Sequence, residues 1–389
     1  MFATLKNPSF LKIYAIPLIA VSVGAMSWSI SILYALDLGA DILQINLITT
    51  VRSTMSILLL VPFGMLSDRF GRKPMIVYPR IIMLLGTLIR TFATDPNHLL
   101  IAAVVGGFAG GSYFPILLSM IGDLAKPNEQ RESISILFLF SSIGMVLGPL
   151  ITTLLLTMPQ ITLRGIYQIT AVAEIGVLIF ITTQIKETKS QTRKNVKIDY
   201  LKHIKSLVNK TNFRGLMIMA SLYFFNISIV NTYTPIYGRV DLHLSNTEIA
   251  SFSVIRNLAI MLIRFSSATF LSRIPITPFL ISILALAGIT GFASSFANNY
   301  ISMLIILFLS GISFGAVRIL STTIVAKNST TENRGVANSL LDVSQATGNL
   351  TKILTSSTVA DGNLDSVFIL GGVTGLSAII PVILLKVGH

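Results

Sequence analysis

Five charged residues stand inside apolar runs, where charge is expensive: Arg52, Glu174, Arg256, Arg318 and Asp342. On insertion scales each costs about 2.5–3.5 kcal/mol at the centre of a membrane-crossing helix. They must therefore line a wet cavity or pair with one another. Arginines so placed can hold an anion, and carboxyls so placed can take up and release protons. Asp342 opens a row that continues with Gln345, Asn349 and Lys352. At 100° per residue the row stays within about 80° of helix surface, a continuous polar stripe. Its partner is water, a solute or a neighbouring helix. A second stripe, Tyr223, Asn226, Tyr233 and Tyr237, runs past Pro235 and is also about 80° wide. Rings, hydroxyls and an amide on one face suit a small organic solute. Tyrosine near a membrane end is also ordinary belt material, and Tyr237 is the weakest of the four.

Each residue has a plainer alternative. Arg52 and Arg256 are either an anion-binding pair or external gate, or cations held by carbonyls and acids of neighbouring helices. Glu174, in the middle of its run, is either a proton site or half of a structural hydrogen bond. Arg80 and Arg90 lie nearer the ends of their run and are expected to snorkel to the interface. Trp28, the only tryptophan, sits among Ser22, Ser27, Ser29 and Ser31 and either stacks on a solute or packs.

Covalent and metal chemistry find no footing in the sequence. There is no cysteine, and the four histidines, His98, His203, His243 and His389, fall in loops or at a terminus without metal-ligand spacing. No nucleotide-binding loop is present. The run Gly106-Gly-Phe-Ala-Gly-Gly-Ser112 lies within an apolar stretch and reads as helix packing. The expectation is a non-enzyme without cofactor or metal.

The elements that must hold these residues are helices in a bilayer. Charged residues make up 12% of 389, against about a quarter in soluble domains, and mean hydropathy is +0.77. Runs of roughly 20 apolar residues mark spans near 11–36, 44–66, 74–94, 98–121, 133–157, 162–185, 213–236, 246–270, 276–297, 300–323, 336–356 and 364–386. The first is too long for a signal peptide and reads as a helix that stays. Lys and Arg crowd one face: Lys6, Lys12, Arg69, Arg72, Lys73, Lys126, Arg131, Arg273, Lys327, Arg334, Lys386 and the basic connector 186–212. The other face has Arg164 and Arg239 as its clear members. That asymmetry predicts a plasma-membrane protein with both termini and the connector cytoplasmic. The net charge of +13 is thereby a matter of topology and anionic lipid, with no nucleic-acid partner expected.

The chain also repeats itself. Val51-Arg52-Ser53 precedes Ile255-Arg256-Asn257 by 204 residues, and Gln44-Ile45 precedes Glu248-Ile249 by the same offset. Glu129-Gln-Arg131 and Glu332-Asn-Arg334 lie 203 apart. A six-helix unit has been duplicated, an architecture of transporters. The expected domains are an N-terminal bundle over 1–185, a linker over 186–212 and a C-terminal bundle over 213–389.

Gly64-Met-Leu-Ser-Asp68-Arg69-Phe-Gly71-Arg72-Lys73, between spans two and three, resembles the signature loop of the major facilitator superfamily. With the spans, the repeat and the central connector, the resemblance covers the whole chain. It implies an all-α fold of two pseudo-symmetric six-helix bundles around a central cavity, and secondary transport by alternating access in a monomer. It also implies that Gly64, Asp68, Arg69, Gly71, Arg72 and Lys73 latch the cytoplasmic side, against a plain positive-inside anchor. At the matching positions of the second half stand Ala268, Ser272 and Pro275, so the latch is one-sided. Arg131 and Arg334 survive in both halves and either pair across the cytoplasmic gap or follow the topology rule. Gly144-Met-Val-Leu-Gly148-Pro149 resembles the glycine–proline motif of proton-coupled drug exporters, where close packing joins the halves. Thr152 and Thr153 replace its later glycines, and Ala102 and Ala103 stand where those exporters carry an arginine.

The leading expectation is a proton-coupled transporter of a small organic solute, drug-efflux-like. Gating falls to the loop arginines and glycines, and helix packing to Gly144, Gly148 and Pro149. Substrate contact falls to Arg52, Arg256, Arg318, Tyr223, Asn226, Tyr233, Gln345 and Asn349, and proton coupling to Asp342 and Glu174. The alternatives are uptake or exchange of an organic anion and, further off, a non-transporting membrane receptor.

Overall fold

Helices begin where the sequence supplies a cap. In the computed structural model, Asn7 accepts from the Ser9 N–H ahead of Pro8 and opens α1 (Pro8–Ser29). After Ile30 comes α2 (Ser31–Asp37). Asp41 and Gln44 form a reciprocal capping box at the start of α3 (Ile42–Phe70). Gly71, at φ +101°, breaks the chain between α3 and α4 (Arg72–Thr91), a backbone setting that favours glycine. Then follow α5 (Pro96–Gly110), α6 (Tyr113–Leu124), α7 (Gln130–Leu155) and α8 (Leu163–Gln184). The short α9 (Tyr200–Val208) leads into α10 (Thr211–Val240), α11 (Asn246–Ser267), α12 (Ile276–Ser294) and α13 (Tyr300–Asn328), the last opened by an Asn299–Ser302 capping box. The chain ends with α14 (Arg334–Thr351), a 3-10 turn (Lys352–Thr355), α15 (Leu364–Ser377) and α16 (Ile379–Leu384).

The structure describes residues 7–110, 113–126, 129–188, 200–267, 274–330, 333–355 and 363–387; the side chains of 60–65, 68, 131, 200–203, 267 and 334 lie outside that description. Among the described residues there is no strand, and eleven helical stretches are long and apolar enough to cross a membrane. The twelfth expected span, 336–356, corresponds to α14 and its 3-10 turn and is not among the eleven. Its polar stripe lowers its mean hydropathy, because the polar groups turn toward other helices of the protein.

The chain forms two compact units. The first gathers α1–α8 and the start of α11; the second gathers α9, α10, the rest of α11 and α12–α16. In lipid, hydrophobic burial does not distinguish helix from tail, so close packing and interhelical hydrogen bonds hold each unit together. The first core centres on Ile13, Met75, Leu117, Met120, Leu137 and Ile181. The second centres on Leu216, Met219, Leu284, Val317, Leu320 and Val382.

The internal repeat is visible in the packing of each unit taken separately. In the first, a methyl added at Gly107 would stand 2.9 Å from the Arg52 carbonyl oxygen and 2.6 Å from Met55 Cβ. In the second, a methyl at Gly311 would stand 2.5 Å from the Arg256 carbonyl oxygen and 2.8 Å from Ala259 Cβ. All three pairs differ by 204 in number. Likewise Gly144 abuts the α1 backbone at Leu18, while Gly348 abuts the α10 backbone at Ser221 and Phe225. Here the copies then diverge: Gly148 lies against Ala25 and Met26 of α1, but its counterpart is Lys352.

Candidate functional site

The densest polar array in the second unit runs along α14 and its 3-10 turn. Arg318, on α13, donates through Nη1 to Asp342 Oδ1 and Gln345 Oε1, both at 2.8 Å. The Arg318 and Asp342 side chains are 36% and 22% exposed, so this ion pair is open to its surroundings. Further along the helix, Ser228 donates to Asn349 Oδ1, and Lys352 Nζ donates to Thr232 Oγ1 at 2.9 Å. Tyr233 and Thr355 join their hydroxyls at 2.6 Å. The α14 stripe therefore divides. Asp342 and Gln345 engage a partly open cation, while Asn349 and Lys352 are tied to α10.

The α10 stripe does not present an open face. Tyr223, Asn226 and Tyr233 are fully buried. The Asn226 amide donates to the Ala287 carbonyl of α12 at 3.0 Å, and Gly375 lets it lie close to α15. Tyr223 meets Phe224 edge-on. Tyr237 donates to the Ala297 carbonyl at 2.9 Å. Asn226, Tyr233 and Tyr237 thus tie α10 to neighbouring elements of the second unit, while the Tyr223 hydroxyl and the Asn226 amide oxygen are buried without a hydrogen-bond partner.

The arginines of the first unit sort into paired and unpaired. Arg80 and Glu174 form a buried ion pair, with Arg80 Nη1 at 3.0 and 2.9 Å from the two carboxylate oxygens. Their side chains are 6% and 1% exposed, and Arg80 also lies over the Tyr113 ring. Arg80 does not snorkel. It lies inside the unit because Glu174, from α8, meets it there. Glu174 is accordingly committed to an ion pair, away from any open surface. Arg90 does not snorkel either, since its Nη2 donates to the Ala102 carbonyl at 3.1 Å.

Arg52 behaves differently. Its guanidinium lies 4.1 Å over the Trp28 ring. Its counterpart Arg256 lies 5.2 Å over Phe314, with Nε buried and unbonded. Among the described residues, neither comes within ion-pair distance of a carboxylate.

The loop between α3 and α4 is bound tightly into the first unit. Arg72 is buried; its Nε donates to Asp123 Oδ2 at 3.1 Å and its Nη1 to Ser67 Oγ at 2.7 Å. The Glu187 carboxylate accepts from the backbone N–H groups of Arg72 at 2.8 Å and Lys73 at 3.1 Å, capping α4 from beyond α8. Lys73 Nζ reaches the Thr182 carbonyl at 2.7 Å. Arg69 is exposed, over the Phe70 ring. The side chains of Gly64, Asp68, Arg131 and Arg334, and residues Ala268 and Ser272, lie outside the described residues.

Gly144 and Gly148 both fit against α1, and Thr152 extends the contact by donating to the Met26 carbonyl at 3.2 Å. Pro149 lies within an unbroken α7. The contacts of this motif are with the first helix of its own unit. Sequence reasoning missed Asp123 and Glu187, although each is an acid at the end of an apolar run on the basic face. It also missed Thr232 and Ser228, which carry no signal beyond being hydroxyls in a span.

Comparison with known proteins supplies the family. A curated relative, an uncharacterized transporter of Buchnera aphidicola, is 26% identical over 196 residues, 49% of each chain. The multidrug resistance protein MdtH of Yersinia pestis is 32% identical over 127 residues, 33% of this chain and 32% of that protein. These matches span about half or less of the relatives' own lengths. Among solved structures, a POT family transporter in complex with 5-aminolevulinic acid superposes with a TM-score of 0.80 at 12% identity, covering 96% of this chain and 95% of that one. The human organic anion transporter MFSD10 does so at 0.67 and 14%, covering 96% and 99%. The nucleoside transporter NupG does so at 0.80 and 14%, covering 98% and 99%. A sequence model described as Major Facilitator Superfamily matches residues 16–351. With most of the chain inside that match, and the same glycine–arginine contacts repeated in both units, the protein belongs to the Major Facilitator Superfamily of membrane transporters.

Proposed function

We propose that the protein is a secondary active transporter that moves a small organic solute by alternating access, driven by protons and working in the direction of efflux. The observation that carries this reading is the Arg318–Asp342–Gln345 cluster, a partly open ion pair between the apolar span α13 and the polar helix α14. A carboxylate there can exchange its arginine partner for a proton or for a cationic solute, which is the elementary step of antiport. The likeness of part of the chain to MdtH, a multidrug resistance protein, supports the outward direction. Asp342 is the coupling carboxyl, Arg318 is its ion-pair partner, and Gln345 accepts a second hydrogen bond from Arg318. Lys73, Arg72, Asp123 and Glu187 brace the α3–α4 loop on the side we assign to the cytoplasm, with both termini, in the plasma membrane and in a monomer.

Proteoliposome flux under an imposed pH gradient tests this reading, after a thermal-shift screen for solutes that bind. Asp342→Asn should lose pH-driven flux while keeping solute exchange. Full coupling in that variant would remove Asp342 from the role.

The second reading, uptake or exchange of an organic anion, is favoured by Arg52 and Arg256, cations in spans that lie over aromatic rings with no carboxylate in reach among the described residues. It predicts substrate-evoked currents of opposite sign. Transport of every anionic solute unchanged after neutralising Arg52, Arg256 and Arg318 would dispose of it.

A further inference from the structure

Lysine and arginine gather where α10 begins and α16 ends, and no acid answers them there. From residue 200 to 240 and from 366 to 389 the sequence contains neither Asp nor Glu. Lys205, Lys210, Arg214 and Lys386 are exposed, and none comes within ion-pair distance of a carboxylate among the described residues. The ends of three helices fix their positions. Lys210 Nζ donates to the Asn328 carbonyl at 2.8 Å, and the Asn212 amide donates to Asn328 Oδ1 at 2.7 Å, which ties the end of α13 to the start of α10. Arg214 Nη2 donates to Thr211 Oγ1 at 3.4 Å. A methyl on Gly215 would stand 2.8 Å from Leu385 Cβ and 2.6 Å from Val387 Cγ2, so the chain just past α16 closes directly on α10.

At those ends lies an open cleft of about 440 Å³, lined by Thr211, Asn212, Leu384, Leu385 and Lys386. Sites for small molecules run from about 300 to 1,000 Å³. Lys386 stands at φ +50°, in the left-handed region that favours glycine. The turn sends Val387 into the core, its N–H on the Val382 carbonyl at 3.1 Å, and leaves the lysine outside. The cleft also adjoins an apolar surface. Ile380, Ile383 and Leu384 are 54%, 59% and 72% exposed and share one stripe at the end of the last apolar span, Leu364–Leu384. In a bilayer that stripe lies against an acyl chain, and the headgroup of that chain comes to rest at the cleft. Lys386 on its wall, and Arg214 bonded to its wall at Thr211, then meet the phosphate as a point charge and a planar fork. A zwitterionic headgroup would bring a further cation to a place with four bases and no acid. A headgroup of net negative charge brings none.

We propose that this cleft in the second unit binds an anionic phospholipid, its phosphate on Arg214 and Lys386 and one acyl chain along Ile380, Ile383 and Leu384. Lys210 adds its charge from the rim while it stays bonded to Asn328. The site needs only that the chain crosses a bilayer, so it stands apart from the solute, the coupling ion and the direction of transport.

Native mass spectrometry of the purified full chain, delipidated in detergent and titrated with dioleoylphosphatidylglycerol, tests the site. Dioleoylphosphatidylcholine, with the same chains, is the comparison. The expected result is one phosphatidylglycerol held tighter than phosphatidylcholine by about tenfold or more. Each base removed should weaken it about fivefold, as for a Lys or Arg near an anionic surface, so Arg214→Gln/Lys386→Gln should lose about twenty-five-fold. Lys12→Gln/Lys126→Gln takes the same charge from exposed positions of the first unit and should leave that first lipid as tightly held as before. Arg214→Lys/Lys386→Arg keeps both charges and should retain most of the affinity, which guards against misfolding of the glutamine variant. A third arm adds sn-glycerol 3-phosphate, a headgroup phosphate without chains, which should not displace the lipid at millimolar concentration. Phosphatidylcholine held as tightly as phosphatidylglycerol, or equal loss in the two glutamine double variants, overturns the site. Displacement by glycerol 3-phosphate makes it a free-anion site and overturns the lipid.

Discussion

Breaking the Arg80–Glu174 pair separates a structural carboxylate from a coupling one. Both groups are buried, and one Arg80 nitrogen lies within 3.0 Å of both carboxylate oxygens. Removing one partner of such a pair leaves the other charge buried alone, at a cost of about 3–5 kcal/mol. For a unit of this size a kilocalorie moves the unfolding midpoint by about 2–4 °C, so Glu174→Gln should lower it by roughly 6–20 °C. The double variant Arg80→Met/Glu174→Leu removes both charges and keeps the volume, and should recover most of that loss. Tryptophan-monitored or dye-monitored unfolding in detergent gives the midpoints, and flux under a pH gradient gives coupling. The expected pattern is that Glu174→Gln loses stability and activity together, while the double variant regains both. A Glu174→Gln protein with the parental midpoint but no proton coupling would refute the assignment and return Glu174 to the transport mechanism.

Other consequences can be checked on the same preparations. Asp123→Asn takes the carboxylate from the buried Arg72 and should lower the unfolding midpoint, with Asp123→Glu losing less. Gly71→Ala forces a side chain into a left-handed setting and against the Glu187 carboxylate, so it should unfold earlier than Gly165→Ala, which meets only ordinary contacts. Gly107→Ala and Gly311→Ala should each cost about 1–3 kcal/mol by overpacking, and similarly to each other if the repeat is energetic as well as geometric. That comparison needs two thermal-shift curves.

Much of the frame was legible because the bilayer permits few solutions. Apolar runs of spanning length, the 204-residue offset between Arg52 and Arg256, and the Gly71 break are all properties of one stretch of chain or of two stretches compared. The site was less legible because its charges find partners far away in sequence. Arg80 and Glu174 are 94 residues apart, and the Arg72 side chain meets Asp123 across 51. Nothing in the neighbourhood of Arg80 says that an acid waits for it on α8, so position along the helix suggested the interface instead. The α10 stripe is only partly legible for a related reason. Tyr223, Asn226 and Tyr233 share a face, and periodicity identifies a face without naming what covers it. In this chain α12, α14 and α15 do.

The divergence at Lys352 bears on how the two units can move. Gly144 and Gly148 seat α7 on α1 through shape, and a seam of interlocked backbone resists sliding until it separates. The α10–α14 seam keeps one such contact, at Gly348, and beyond it substitutes donors and acceptors: Ser228 with Asn349, Thr232 with Lys352, Tyr233 with Thr355. A ladder of hydrogen bonds can exchange partners a turn at a time, about 5.4 Å along a helix. The gene duplication therefore left one clamp and one slide rail, and amide exchange should run faster along 336–355 than along 132–155.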